Sequence, residues 1–338
     1  MNLTDSTEIV RPTQTIANQR IKTGSNCLIS YIEVWVPSVD GQHLCLSSAC
    51  RVGDRRALLE NKVSPIAIGE GIAGRAWKQR SSTIVQESPS ELLQHYCQVS
   101  GESLVALIAI PLFAQSSICG VVVLGLGEGL GGIELWSRDD RDELAVTASY
   151  YRGLKSLEFI HQYVRFPKGG GFPGKIWKSG QPAVMHDLSS HADVVSTFAH
   201  DEAEITSVLG VPIGSSGGFA QSVLMMMSAQ QSPLAGAIEC CQCSTEIVRA
   251  DDDSELDSSM KISVTASAGV LLTGDGEQPR RWHSDEKWQQ LVCERLSNKP
   301  VPQLLHSEQI TLPDGAEIAL VLPVFRVQKL ENIINFFF

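Results

Sequence analysis

Three groups of residues in this 338-residue chain have the types and spacing for chemistry. The segment GEGIAGRAWKQR carries G-x-G-x-x-G at Gly69, Gly71 and Gly74, and GGGFPGKIWKSG repeats it at Gly169, Gly171 and Gly174. Glycines at that spacing permit the tight turn and close approach with which a dinucleotide pyrophosphate meets a helix N-terminus. The segment MHDLSSHADVVSTFAHDE sets His186, His191 and His200 beside Asp187, Asp193 and Asp201. Imidazole and carboxylate suit a transition metal, but these spacings match no known site, and no metal is assigned. The run IECCQCS holds Cys240, Cys241 and Cys243. On a strand Cys241 and Cys243 share a face opposite Cys240, which suits small apolar core residues better than a redox or metal centre.

The elements around the glycines decide between cofactor loop and packing device. A dinucleotide fold needs a strand running into the first glycine, a full crossover helix and an acid about 20 positions on. Glu87 and Asp187 each lie 18 residues past their first glycine, so the acid is available. The rest fails: Pro167 and Lys168 stand where the strand should end, and Gly180 with Pro182 stops the second helix early. The glycines are read as geometry that turns the backbone and lays a short helix on a sheet, where Trp77 and Trp177 bury a large ring. Anion binding at that helix N-terminus is the alternative.

The chain repeats itself. A shift of 100 residues superposes Gly69, Gly71, Gly74, Trp77 and Lys78 on Gly169, Gly171, Gly174, Trp177 and Lys178. A fainter third copy follows a shift of 118, which brings VTAS at Val146 onto VTAS at Val264 and Pro182 onto Pro300. YIEVW, GIELW and AIECC recur with Glu33, Glu134 and Glu239, and ALIAIPLF, SVLGVPIG and IALVLPVF each carry one central proline, Pro111, Pro212 and Pro323. The expected organisation is an N-terminal segment 1–30 and three separate units, 31–130, 131–236 and 237–338. Each reads as an antiparallel hairpin, a mixed segment that helix and loop fit equally, the glycine-helix corner, a short strand, a polar connection and a second hairpin around the proline strand. The fold class is α+β, five- to six-stranded antiparallel sheets with helices on the faces. The three glutamates are expected to face solvent or an interface.

Composition narrows the partners. A formal net charge of −11 argues against a nucleic-acid surface. Nine cysteines scattered without paired CxxC motifs read as reduced thiols of a cytoplasmic protein. The start MNLTDSTEIVRPTQ lacks a basic, then apolar, signal pattern. The uncharged stretches Ser103–Gly127 and Ile205–Ile238 are broken by polar residues near their middles, so they read as paired strands and no membrane helix is expected.

The pattern G-x-G-x-x-G-x-x-W, then a strand ending in an acid, a proline strand and a G-V-hydrophobic strand, resembles the GAF domain. The resemblance covers residues 31–236 as a tandem pair. In the third unit it reaches only the ends and the proline strand, because Gly169, Gly171, Gly174 and Trp177 fall on Lys287, Gln289, Val292 and Arg295. That unit is read as a degenerate copy, without a closing helix, kept for packing or pairing. The resemblance implies a non-enzymatic sensory module that binds a small molecule between sheet and helices, or dimerises, with output through a partner protein. No cofactor is assigned. The ligand-binding candidates it implies are Trp77, Trp177, Arg75, Lys175, His186, Asp187 and His191, the histidine loop lying over the family's pocket. An alternative is the branch that reduces free methionine sulfoxide, but its motif cysteine is replaced by Ala73 and Pro173, leaving Cys97 and Cys119. A linear-tetrapyrrole site would need His95 and Cys97 in an order that does not fit that branch. A purely structural scaffold is the remaining alternative.

Overall fold

The structure is a computed structural model. It describes residues 27–52, 64–86, 91–100, 103–114, 117–186, 188, 204–216, 219–229, 232–249, 258–272, 280–282, 284, 286–298, 303–306, 318–326 and 329–338. The first sheet holds β1 (Ile29–Pro37), β2 (His43–Arg51), β3 (Ile66–Ala67), β4 (Thr83–Gln86), β5 (Ala106–Ala114) and β6 (Ser117–Leu126) in the order β3-β2-β1-β6-β5-β4. The second holds β7 (Gly131–Arg138), β8 (Leu144–Arg152), β9 (Ala183–His186), β10 (Ile205–Ser216) and β11 (Phe219–Ala229) in the order β8-β7-β11-β10-β9. The third holds β12 (Ala237–Arg249), β13 (Ser258–Leu271), β14 (Arg280–Trp282), β15 (Gln303–His306), β16 (Ile318–Arg326) and β17 (Lys329–Phe337) in the order β14-β13-β12-β17-β16-β15.

The described strand pairings within these sheets are antiparallel. A dinucleotide fold, which needs parallel strands joined by crossovers, is absent from the described residues. The fold is α+β, with α1 (Gly71–Gln79), α2 (Glu91–Ser100), α3 (Lys155–His161), α4 (Gly171–Ser179) and α5 (Glu286–Asn298). Helix α3 resolves the ambiguous segment of the second unit; its counterpart at 53–63 lies outside the described residues. No described helix is long and apolar enough to cross a membrane.

The glycine corner is packing. A Cβ on Gly74 would stand 2.5 Å from the Ala67 carbonyl oxygen, and one on Gly174 would stand 2.4 Å from that of Pro167. In both units the first glycine donates its N–H to the carbonyl of the third, at 2.8 Å. Those backbone groups are therefore committed to closing the turn.

Strand alternation gives each sheet two buried faces. On β1, Tyr31 and Trp35 join Ile72, Ala76 and Tyr96 in a cluster under α1 and α2. The second and third units have equivalent clusters, around Trp136, Ile176 and Trp177, and around Trp288, Val292 and Phe337. Ile32 and Val34 point the other way, into a further cluster to which all three sheets contribute, including Ile110, Val211, Leu322, Leu224 and Phe336. Helices thus cover one face of each sheet, and the opposite face packs on the other two sheets. The separate lobes expected from the repeat are joined. The physical reason is legible in the proline strands, whose nearly continuous apolar runs need cover on both faces.

The prolines are placed where their missing N–H costs nothing. The short edge strands β4, β9 and β15 pair as far as Ala109, Gly210 and Val321. Pro111, Pro212 and Pro323 each lie two residues further, where the edge partner has ended. All three line one cleft, a cavity of about 40 Å³ whose lining also includes Phe113 and Gly180.

Candidate functional site

The glutamates expected at the surface are buried. Glu33, Glu134 and Glu239 are 4%, 2% and 0% exposed, each on the helix-facing side of the first strand of its sheet. A buried carboxylate is costly unless donors surround it, and each unit supplies them.

In the first unit the alternation of β1 sets Tyr31, Glu33 and Trp35 on one face. Tyr31 donates its hydroxyl to Glu33 Oε1 at 2.7 Å, and Trp35 Nε1 donates to Oε2 at 2.7 Å. The third donor comes from the helix layer: Tyr96 on α2 donates to Oε2 at 3.1 Å. The two phenol rings meet edge to face at 6.3 Å. Burial, and next the Glu33 charge, push both phenols above their ordinary range, so they remain protonated donors.

In the second unit Trp136 Nε1 donates to Glu134 Oε2 at 2.8 Å, and Tyr151 of β8 donates to Oε1 at 2.6 Å. Here the helix-layer partner is His161 at the end of α3, whose Nδ1 lies 2.5 Å from Oε1. Trp136 packs edge-on against the imidazole and Phe166, at 5.4 and 4.9 Å. Burial followed by the Glu134 charge pushes the Tyr151 phenol up.

In the third unit Cys241 takes the place of the indole, and amides and a hydroxyl replace the aromatic donors. Ser284 donates its N–H to Glu239 Oε1 at 3.2 Å and its hydroxyl to Oε2 at 2.6 Å. Gln289 Nε2 donates to Oε1 at 3.3 Å, and Asn335 Nδ2, directly across the sheet, to Oε2 at 3.4 Å. Gln289 is the residue that falls on Gly171 under the shift of 118.

One carboxylate per unit therefore ties sheet to helix layer, with a different element reaching down each time. Charge-assisted bonds of this kind are short and about twice as strong as neutral ones, and buried networks of them hold one arrangement.

The ligand-binding candidates are dispersed around these centres. Trp177 is buried, with Nε1 donating to the Ala220 carbonyl at 3.0 Å and the Lys168 ammonium 5.6 Å over its ring. Trp77 is half-buried against the first helix-side cluster. Arg75 and Lys175 are exposed on the outer faces of α1 and α4. His186 is half-buried at the end of β9, while Asp187, His191, Asp193, His200 and Asp201 lie outside the described residues. Among the described residues no group of three or more His, Cys, Asp or Glu is placed to hold a metal.

The thiols are largely core. Cys50 and Cys240 are buried, and burial pushes both up to about 12. Cys97 and Cys119 are half-buried and donate to the Leu104 and Leu112 carbonyls at 3.6 and 3.4 Å. Ala73 is buried in α1 and Pro173 in α4, at the positions where the reductase branch has its cysteine.

No family model and no curated protein matches the chain. Solved GAF domains do. One from A. aeolicus, in an inactive state, is 18% identical, covers 30% of this chain and 58% of its own, with a TM-score of 0.22. The GAF domain of a phosphoenolpyruvate-protein phosphotransferase from Coxiella burnetii is 22% identical, with 29% and 56% covered and a TM-score of 0.24. That of a two-component sensor histidine kinase from Bacillus halodurans is 16% identical, with 30% and 65% covered and a TM-score of 0.23. The match thus spans less than two thirds of each of these chains. Each of these likenesses covers about 30% of this chain.

Proposed function

We propose that the protein is a non-enzymatic GAF-type signalling module that senses a small molecule between sheet and helix layer and passes the response to a partner protein. One observation carries this reading: in each unit a buried carboxylate of the sheet accepts a hydrogen bond from the helix layer. A ligand bearing its own N–H donors and entering between the layers competes with Tyr96, His161 or Gln289 for that carboxylate. Winning the competition releases a helix, which is a conformational signal. The second unit is the proposed site, because His161 shares Glu134 Oε1 with Tyr151, so that the imidazole can be displaced while that oxygen keeps a donor. Trp177 and His186, with Asp187 and His191, are the proposed lining; the exposed Lys175, like Arg75 in the first unit, would meet only the rim of a ligand.

Thermal-shift screening of the intact chain against nucleotides and metabolites tests the proposal. A hit should stabilise the wild type and lose its effect in Glu134→Gln. Silence across a broad screen contradicts it.

A second reading, a scaffold without a ligand, is favoured by the shared core, in which the sheet backs are already consumed within one chain. It predicts no thermal shift with any compound and a stable complex with a partner protein or a second copy. Light scattering of the purified chain separates the homo-oligomer from the monomer.

A further inference from the structure

Four of the cysteines lie in the third unit: Cys240, Cys241, Cys243 and Cys293. Cys240 faces the shared core, whereas Cys241 and Cys293 belong to the cluster beneath α5, with Cys243 packed against it. Two contacts bring Cys243 and Cys293 together. Cys243 and Val264 are direct partners across the β12–β13 ladder, which sets their backbones about 5 Å apart. Helix α5, which carries Cys293, packs on β13, the strand of that same Val264. Val264 and Cys243 both pack against the cluster that contains Cys293. A helix thiol and a thiol of the strand pair beneath it therefore meet in one cluster. Cys241, two residues along β12, is engaged elsewhere, with Asn335 Nδ2 3.7 Å from its sulfur.

We propose that Cys243 and Cys293 are a covalent modification site, joined reversibly as a disulfide that pins α5 to β12. The oxidant required is of the hydroperoxide class. Cys243, half-buried while Cys293 is buried, is the sulfur that a small oxidant reaches first. Its thiolate attacks the peroxide oxygen, the O–O bond breaks, and Cys243 sulfenic acid forms with loss of water or an alcohol. The Cys293 sulfur then attacks the Cys243 sulfur, the S–O bond breaks, and water leaves with the thiol proton. In sum two thiols give up two electrons and two protons, and one hydroperoxide is reduced. The bridge would act at the second half of α5, as the Ser284 and Gln289 bonds to Glu239 act at its start.

The environment sets the pace. Burial pushes the Cys243 thiol up to about 12, so the thiolate is scarce at neutral pH. Its fraction rises about tenfold per pH unit below that value, and the oxidation rate should follow.

The test treats the intact chain with hydrogen peroxide at several pH values between 7 and 9, then alkylates under denaturing conditions and maps peptides without reduction. The expected product is a Cys243–Cys293 cross-linked pair, two hydrogens lighter than the two thiol peptides, reversed by dithiothreitol, and appearing about tenfold faster per pH unit. In Cys243→Ser the cross-link should vanish and Cys293 be recovered as an alkylated thiol. Recovery of both cysteines alkylated in the treated wild type overturns the proposal. So does a bridge from Cys241, or sulfinic acid at Cys243 beside a free Cys293. If Cys243→Ser does not fold, the wild-type map decides alone.

Discussion

His161 Nδ1 and Glu134 Oε1 lie 2.5 Å apart in the interior of the second unit, joining the last residue of α3 to β7, the first strand of its sheet. The Tyr96 hydroxyl stands in the same relation to Glu33 in the first unit. Both carboxylates also take an indole N–H from the residue two positions along the strand, Trp35 or Trp136. Stability and the proposed response to a ligand both depend on these centres.

Removing the carboxylate should be far costlier than neutralising it. Glu134→Ala strips the acceptor from Tyr151, Trp136 and His161 at once and should destabilise the chain by about 3–5 kcal/mol. Glu134→Gln keeps one acceptor oxygen and should cost less. In a double-mutant cycle with His161→Phe, denaturant midpoints should show coupling between the two positions of about 0.5–3 kcal/mol. Additive effects would remove the pair from the description of the tether.

The glycine corner makes a second prediction. Gly174→Ala and Gly74→Ala each drive a methyl group into a backbone carbonyl at 2.4 and 2.5 Å. Because backbone cannot yield as a flexible side chain does, each should cost about 1–3 kcal/mol. Chemical denaturation of the two variants measures it. Unchanged midpoints would mean that the corner is loosely held.

The shared core couples the units. Leu322→Ala, on the proline strand of the third unit and 1% exposed, should cost about 2–5 kcal/mol through the cavity it leaves. Hydrogen exchange should then speed up in β5 and β10 as well as in β16. Faster exchange confined to the third unit would contradict a common core.

The buried thiols predict a loss of stability in alkali. Burial raises Cys50 and Cys240 from 9.0 to about 12 in the folded chain. Below pH 9 both states keep the thiols protonated and the folded state loses nothing. Between pH 9 and 12 the unfolded chain ionises while the folded one resists, so stability falls by about 1.4 kcal/mol per pH unit per thiol. Urea denaturation at pH 8, 9 and 10, with Cys50→Ala and Cys240→Ala as references, measures the slope. A flat profile would mean that these thiols are not desolvated.

The succession of strands along the chain and the glycine-helix corner were legible in the sequence because both leave local signatures: alternation, turn glycines, and a tryptophan three residues past the last glycine. The buried glutamates were misplaced, yet a signal was present. In YIEVW the alternation puts Glu33 on the face of Tyr31 and Trp35, and GIELW repeats the Glu–Trp pair with Glu134 and Trp136. Two large aromatic rings on a carboxylate's own face mark it as interior. His161 could not be assigned, since 27 residues separate it from Glu134 and the spacing in GLKSLEFIHQYV leaves helix and loop equally open. The shared core was half legible. The apolar proline strands require two covered faces, but nothing in a single strand tells whether a helix or another sheet provides the cover.

The most direct test is equilibrium denaturation of the intact chain, followed together by tryptophan fluorescence and by hydrogen exchange resolved to the three sheets. One coincident transition is predicted, because Ile110, Val211 and Leu322 belong to the same core. Three separated midpoints, one per sheet, would contradict it.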